Sequence, residues 1–347
     1  MTRLRSLLLA LTIAAPLLAV PRLTIYAQGH EPAPKAAVQD TAAAPGERAP
    51  AAGEHAPLPK EVDIITPHIT DGYEMELPYW KPPFAKHVCI GRQNADHTCG
   101  PLWDPVHIGA LELQLSPTKH VVMLLLAATL ASLILIGTAR AHTKHTHAVG
   151  RPKGFAAGME GMVLYIRNEV IMKNIGPHGE GYAPYLLTVF FFLLFANLLG
   201  LIPYGSTATG NVSVTATMAI LTLLVTEVSG IRAQGAGYLN TIFYWNKDLH
   251  PLMRVIMFFV MTPVETASKL TKPFALAIRL FANMTAGHIV VLALIGLIFA
   301  FKSYLIGTAP LFMAVAIMML ELFVAFLQAF VFTLLTSVFI GLMRAEH

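Results

Sequence analysis

Charge is scarce in this chain: 13% of its 347 residues are Asp, Glu, Lys or Arg, against 55% hydrophobic, and the mean hydropathy is +0.60. A sequence so poor in charge lies outside the soluble globular range and reads as an integral membrane protein. Cysteine is scarcer still. The two copies, Cys89 and Cys99, leave room for one disulfide or two unpaired thiols, and their nine intervening residues fit either. The pI near 9.0 invites a nucleic-acid reading. The basic residues are scattered through loops beside apolar segments, however, where positive charge sets membrane topology, so nucleic-acid binding is set aside.

Four regions follow from composition. Residues 1–27 have Arg3 and Arg5, an apolar run from Leu7 to Val20 that is short for a span, and a small residue, Ala27. This is signal-peptide organisation, with a retained first helix as the competing reading. Residues 28–60 are rich in Ala and Pro and read as a disordered linker, because they bury too little apolar area to offset their ordering entropy. Residues 61–118 are of mixed polarity and hold both cysteines, which places them outside the cytoplasm if the signal reading is right. Residues 119–347 form the membrane-embedded part.

Within that part, Val121–Thr138 is an uncharged run of 18 residues, followed by a loop with Arg140, Lys144, Arg151 and Lys153 that reads as cytoplasmic. His142, His145 and His147 in that loop have no Cys or carboxylate nearby to complete a metal site. The runs Tyr182–Tyr204 and Val212–Thr226 make a helical hairpin returning to a second basic loop with Arg232, Lys247 and Arg254. The last two segments are too long. Between Arg254 and Lys302 lie 47 residues, and Leu305–Met343 spans 39 with Glu321 as the only charge. As continuous helices they reach roughly 70 and 58 Å, about twice a hydrocarbon core of ~30 Å. Either each is broken, Pro263 and Pro273 being the obvious places in the first, or the two form a tilted antiparallel hairpin, which is favoured. The expected fold is an all-α integral membrane protein, with transmembrane helices followed by a long, strongly tilted antiparallel helical hairpin at the C-terminus.

The polar residues of this hairpin are few and patterned. From Phe274 to Phe301, Arg279 is the only permanent charge in 28 residues. Glu265, Lys269, Lys272, Arg279 and Asn283 are offset by 4, 7, 14 and 18 residues, one helical face at about 100° per residue. Glu321 and Gln328, seven apart, share a face of the other helix. Folded as a hairpin, Arg279 with Gln328 is centred on 303.5 and His288 with Glu321 on 304.5, so antiparallel packing makes each pair level. A charged side chain at a helix centre costs about 2.5–3.5 kcal/mol on insertion scales, and such residues usually line ion or proton paths. Arg279 cannot shed its proton, whereas His288 and Glu321 can exchange theirs. Each has a plainer reading: Asn283 and Gln328 as interhelical hydrogen-bond partners, His288 as a packing histidine, Glu321 as a snorkelling acid. Arg279 is the hardest to assign to packing.

The motifs "LAIRLFANMTAGH", "FANLLGLIPY", "ETASKLTKPFALAIRLF" and "LQAFVFTLL" resemble the membrane-embedded a subunit of F-type ATP synthases, over roughly residues 100–347. The resemblance implies a proton-translocating stator subunit of the complex's membrane sector, without cofactor or metal, the ATP chemistry belonging to other subunits. Its implied partners are the c-subunit ring, the b-subunit peripheral stalk, the rest of the complex and the lipid bilayer. The family's essential arginine, which faces a ring carboxylate, falls on Arg279. Its entry half-channel residues fall on Asn283, His288, Glu321 and Gln328, and an exit half-channel acid falls on Glu265. Many bacterial members carry an acid where this chain has His288 and a histidine where it has Glu321, an exchange that keeps an acid and an imidazole at facing positions. The implied location is a bacterial inner membrane, crossed several times, with the N-terminal segment extracytoplasmic and the C-terminus cytoplasmic. The segment before residue 100 lies outside the family pattern.

A voltage sensor would repeat basic residues along one span, and the central stretch has Arg279 alone. A secondary ion transporter or channel subunit is the more serious rival, but it predicts two repeated halves, and the Arg279 segment has no second copy. A structural anchor would not gather its polar residues at facing levels. The signal pattern and loop charges predict that an impermeant thiol reagent labels Cys89 and Cys99 on intact cells after reduction. Labelling that requires lysis contradicts that topology.

Overall fold

The computed structural model describes residues 22–23, 71–78, 85–93, 99–104, 106–108, 111–114, 116–145, 154–202, 206–238, 250–301 and 304–345. The signal-peptide reading, except at residues 22–23, the Ala/Pro-rich linker, and the loop positions His147, Arg151, Lys153 and Lys247 lie outside them.

Ahead of the helices stand short antiparallel strands. Strand β1 (Arg22–Leu23) pairs with β7 (Leu111–Gln114), which also pairs with β6 (Val106–Ile108). The hairpin of β2 (Glu74–Pro78) and β3 (Ala85–Cys89) sets Glu74 opposite Cys89, and β4 (Arg92–Gln93) pairs with β5 (Cys99–Gly100). Cys89 and Cys99 are joined as a disulfide, which ties β3 to β5 and settles the choice that spacing left open.

Helix α1 (Lys119–His145) runs into the basic loop, farther than its apolar run alone indicates. Helix α2 (Phe155–Tyr165) starts after Gly154 at φ 71 and continues through a π-helical stretch, Ile166–Met172, and a last turn, Lys173–Ile175. Gly176, at φ 81 and followed by Pro177, ends it: the left-handed backbone suits glycine, and proline cannot continue a helix. Helix α3 (Ala183–Gly200) opens with Pro184 in its first turn, where no intrahelical donor is lost. Helix α4 (Val212–Gln234) is capped by Asn211, whose side chain accepts from Ser213 N, and stops at Gly235, φ 59. Helices α5 (Pro251–Phe301) and α6 (Tyr304–Ala345) are continuous over 51 and 42 residues, with Pro263, Pro273 and Pro310 absorbed without a break.

Five of these helices, α1, α3, α4, α5 and α6, are long and apolar enough to cross a membrane. The protein is a multi-pass, all-α membrane protein with a small strand-bearing segment in front. Helix α3 is central: 67% of its residues are buried, against 11% and 17% in the most apolar stretches of α5 and α6. Phe190 and Phe191 of α3 meet edge to face at 5.1 Å and pack with Leu186, Leu193, Leu276, Phe332 and Ile340. The wide exposed faces of α5 and α6 are what lipid or neighbouring subunits must cover.

Buried hydroxyls in these helices bond back to the preceding turn. Thr333 donates to Ala329 O at 3.0 Å, Thr336 to Phe332 O at 2.7 Å, and Ser337 to Thr333 O at 2.8 Å, so these three hydroxyls of α6 are satisfied without water. Close approach is carried by small residues. Gly341 of α6 lies directly against the backbone carbonyl of Asn174, where a Cβ would collide. Gly341→Ala should therefore destabilise this contact by about 1–3 kcal/mol through overpacking. The measurement is the amount of the subunit in detergent-extracted complexes on native gels, where a clear loss is expected and wild-type amounts contradict it.

Candidate functional site

Three residue contacts fix how α5 and α6 pack. Near their turn, Gly307 faces Ile298; farther along, Gly287 lies against the Glu321 side chain; beyond that, Asn283 Nδ2 donates to Gln328 Oε1 at 3.1 Å. The sequence numbers fall on one helix as they rise on the other, so the pair is antiparallel, with a register close to the one expected. The partner of Gln328 is Asn283, however, one turn beyond Arg279. Gln328 is fully buried and Asn283 reaches it from an exposed position. The pairing register was legible in the sequence, but the exact side-chain partner depends on how each helix is rotated, which spacing does not give.

His288 and Glu321 are brought to one place. With Asn283, Gly287, Gly200 and Thr207 they line a cavity of about 350 Å³. Glycine at 287 makes the room: a methyl group there would collide with the Glu321 carboxylate. Glu321 Oε1 and Gln328 Nε2 are buried with no hydrogen-bond partner among the described residues. Polar atoms in a cavity of this size suit a file of water molecules, and an acid and an imidazole within it suit proton exchange.

A second polar group lies toward the opposite ends of the helices. Tyr238 donates its hydroxyl hydrogen bond to the Glu227 carboxylate, and Lys269 Nζ donates to Tyr238 Oη at 3.2 Å while sitting 4.5 Å above its ring. Lys269 and Tyr238 are 9% and 3% exposed, so this lysine is held inside by an aromatic face and, through the phenol, by a carboxylate. Lys272 stands over the Phe339 ring at 5.6 Å, beside a small cavity of about 20 Å³ that Glu227 and both lysines line. Glu265 is half-buried on α5. Glu227 and Tyr238 were not singled out from sequence, since nothing in it gives the register of α4 against α5.

Arg279 lies between the two groups and outside both. Along α5 it is nine residues from His288 and seven from Lys272, roughly 13 and 10 Å at helical rise. Its side chain is exposed, on the same helical face as Ala275, Ala282 and Ala286, which are exposed too. The five-residue polar stripe therefore does not share one environment: Lys269 turns inward to α4, Asn283 toward α6, and Arg279 outward. Among the described residues no salt bridge holds Arg279, and a fixed cation at membrane depth calls for an opposite charge.

The family model of the ATP synthase A chain matches residues 120–341. The chain belongs to the F-type ATP synthase subunit a family. Proteins named ATP synthase subunit a are similar along most of its length. That of Chloroherpeton thalassium is 44% identical over 289 residues, covering 83% of this chain and 78% of the relative. That of Anaeromyxobacter sp. Fw109-5 is 41% identical over 304 residues, 82% and 71% of the two chains. In Chlorobium luteolum, a protein named ATP synthase subunit a 2 is 38% identical over 350 residues, 97% and 93% of the two. This subunit a is accordingly part of an ATP synthase, acting in ATP synthesis and proton transport. The matched family range holds Glu265, Arg279, Asn283, His288, Glu321 and Gln328, and leaves out the strand-bearing segment.

The shared cavity predicts that His288 and Glu321 act together. Exchanging them, His288→Glu with Glu321→His, keeps one acid and one imidazole in place and should restore more ATP-driven proton pumping than either single change retains. A double variant no better than the worse single refutes the pairing.

Proposed function

We propose that this subunit a is the proton-conducting stator of the membrane sector, with two half-channels that meet at Arg279 against the carboxylates of a rotating c-subunit ring. The observation that carries this is the position of Arg279: exposed on an apolar lateral face, between one polar cavity and a separate polar group. Protons enter from the outer side through the cavity lined by Asn283, His288 and Glu321, with Gln328 bonded to Asn283 behind it, and neutralise a ring carboxylate facing α5. The neutral carboxyl tolerates lipid and travels with the ring. On return its proton leaves toward the cytoplasm past Glu265, because the fixed charge of Arg279 favours the ionised form.

The same charge keeps the two half-channels apart, since a proton crossing directly would have to pass a permanent cation. Moving one charge down 100 mV releases about 2.3 kcal/mol, so several protons drive each ATP formed elsewhere in the complex. The lengths of α5 and α6 support a strongly tilted hairpin: 51 and 42 residues reach roughly 77 and 63 Å, far beyond a bilayer core of ~30 Å. Lying obliquely, they offer the ring a long surface. The assignment places the protein in a bacterial inner membrane beside the c-ring and the b-subunit stalk, with the strand-bearing segment outside and the C-terminus in the cytoplasm, as the basic loops support.

Arg279→Ala should abolish ATP synthesis and ATP-driven pumping while the complex still assembles, and passive proton leak should rise. Arg279→Lys should also fail, because an ammonium lacks the weakly hydrated planar fork and can lose its proton. Near-normal ATP synthesis by assembled Arg279→Ala complexes would overturn the mechanism.

A further inference from the structure

We propose that Asp71, in the segment that the family model leaves out, is a positioning residue for proton entry: it holds the turn that roofs the His288–Glu321 cavity. This rests on the entry role given to that cavity above. The turn, residues 206–211 between α3 and α4, is packed inside, with Ser206, Thr207 and Thr209 at 8%, 7% and 0% exposure. Thr207 lines the cavity and lies against Gly200, the last residue of α3, and Gly210 lies beside Thr285 of α5. Thr209 Oγ1 donates to Asn197 Oδ1 at 2.8 Å, and Asn197 Nδ2 donates to Ala325 O at 3.2 Å, one helical turn after Glu321. The roof is thus bonded through α3 to the helix that presents the acid.

Asp71 grips the other end of this chain. Asn211 Nδ2 donates to Asp71 Oδ2 at 2.9 Å, across 140 residues of sequence. The amide has one orientation that works: its Oδ1 caps α4 by accepting from Ser213 N at 2.9 Å, so its NH2 must face an acceptor, and an ionised carboxylate only accepts. Asp71 is itself tied to the membrane part. Lys119 N donates to Gly72 O at 3.0 Å, and His120 Nε2, on a side chain 4% exposed, stands 3.9 Å from Asp71 Oδ1. A hydrogen bond to a charged group, shielded from water, is among the stronger single contacts a turn can have. Its loss loosens the roof and changes how the cavity opens to the outside.

The test uses assembled complexes in membranes, with Thr207→Cys as the reporter of the turn and an impermeant maleimide added on the entry side; Cys89 and Cys99 stay silent as a disulfide. Asn211→Asp keeps the helix cap but sets two carboxylates face to face. It should speed labelling about tenfold, the scale of one lost charge-assisted hydrogen bond, and lower ATP synthesis at limiting proton-motive force. Adding Asp71→Asn reverses donor and acceptor and should return both readings to near the parent values. Asp71→Ala, which leaves the cap whole, should reproduce both changes. Unchanged labelling, or a double exchange without rescue, refutes the clamp; faster labelling with unchanged synthesis refutes its link to entry. Failure of the proton-path reading shows separately, as Arg279→Ala complexes that still make ATP.

Discussion

A hydrocarbon medium offers no water to a polar side chain, and that constraint organises this molecule. Every charge or hydrogen-bonding group at membrane depth must be matched within the chain, face a wet cavity, or be matched by a neighbour. The hydroxyls of α6 take the first course by bonding to their own helix, and Lys269 does so through Tyr238 and Glu227. His288 and Glu321 take the second, in the cavity against Gly287. For Arg279, turned outward, the third course is the one proposed. A guanidinium cannot escape by losing its proton, so its exposure is a demand on whatever covers that surface.

Small residues let the rest follow. Gly287 gives the Glu321 carboxylate its place, Gly341 lets α6 close on Asn174, and Gly200 accepts Thr207 of the α3–α4 turn. Each spot brings a helix near enough for its polar groups to reach the next. Function on this scaffold resides in the meeting points of elements far apart in sequence, and the interior of α3, rich in phenylalanine, holds those elements at fixed separations.

The membrane class and the order of the long apolar helices were legible in the sequence, because apolar runs are local signals. Even the α5–α6 register emerged, since two helices joined by a short turn leave little freedom in pairing. What depends on rotation or distant contact was not legible. Spacing put Arg279 level with Gln328, whereas the bond is made by Asn283. The π-helical continuation of α2 carries no periodic signature that separates it from a loop. Glu227 with Lys269, and Asp71 with Asn211, join segments whose relative positions only the fold determines.

The most direct measurement of the central claim is a structure of the assembled complex, read at one side chain. If Arg279 is the fixed charge between two half-channels, its guanidinium faces the ring and lies within ~6 Å of the path swept by the ring carboxylates, the range over which an opposite charge holds a carboxyl ionised. The His288–Glu321 cavity then opens to the outer side and the Glu265 side to the cytoplasm, with no continuous water path joining them. An Arg279 packed against another element of its own chain or facing lipid, or one water-filled channel running past it, would contradict the account.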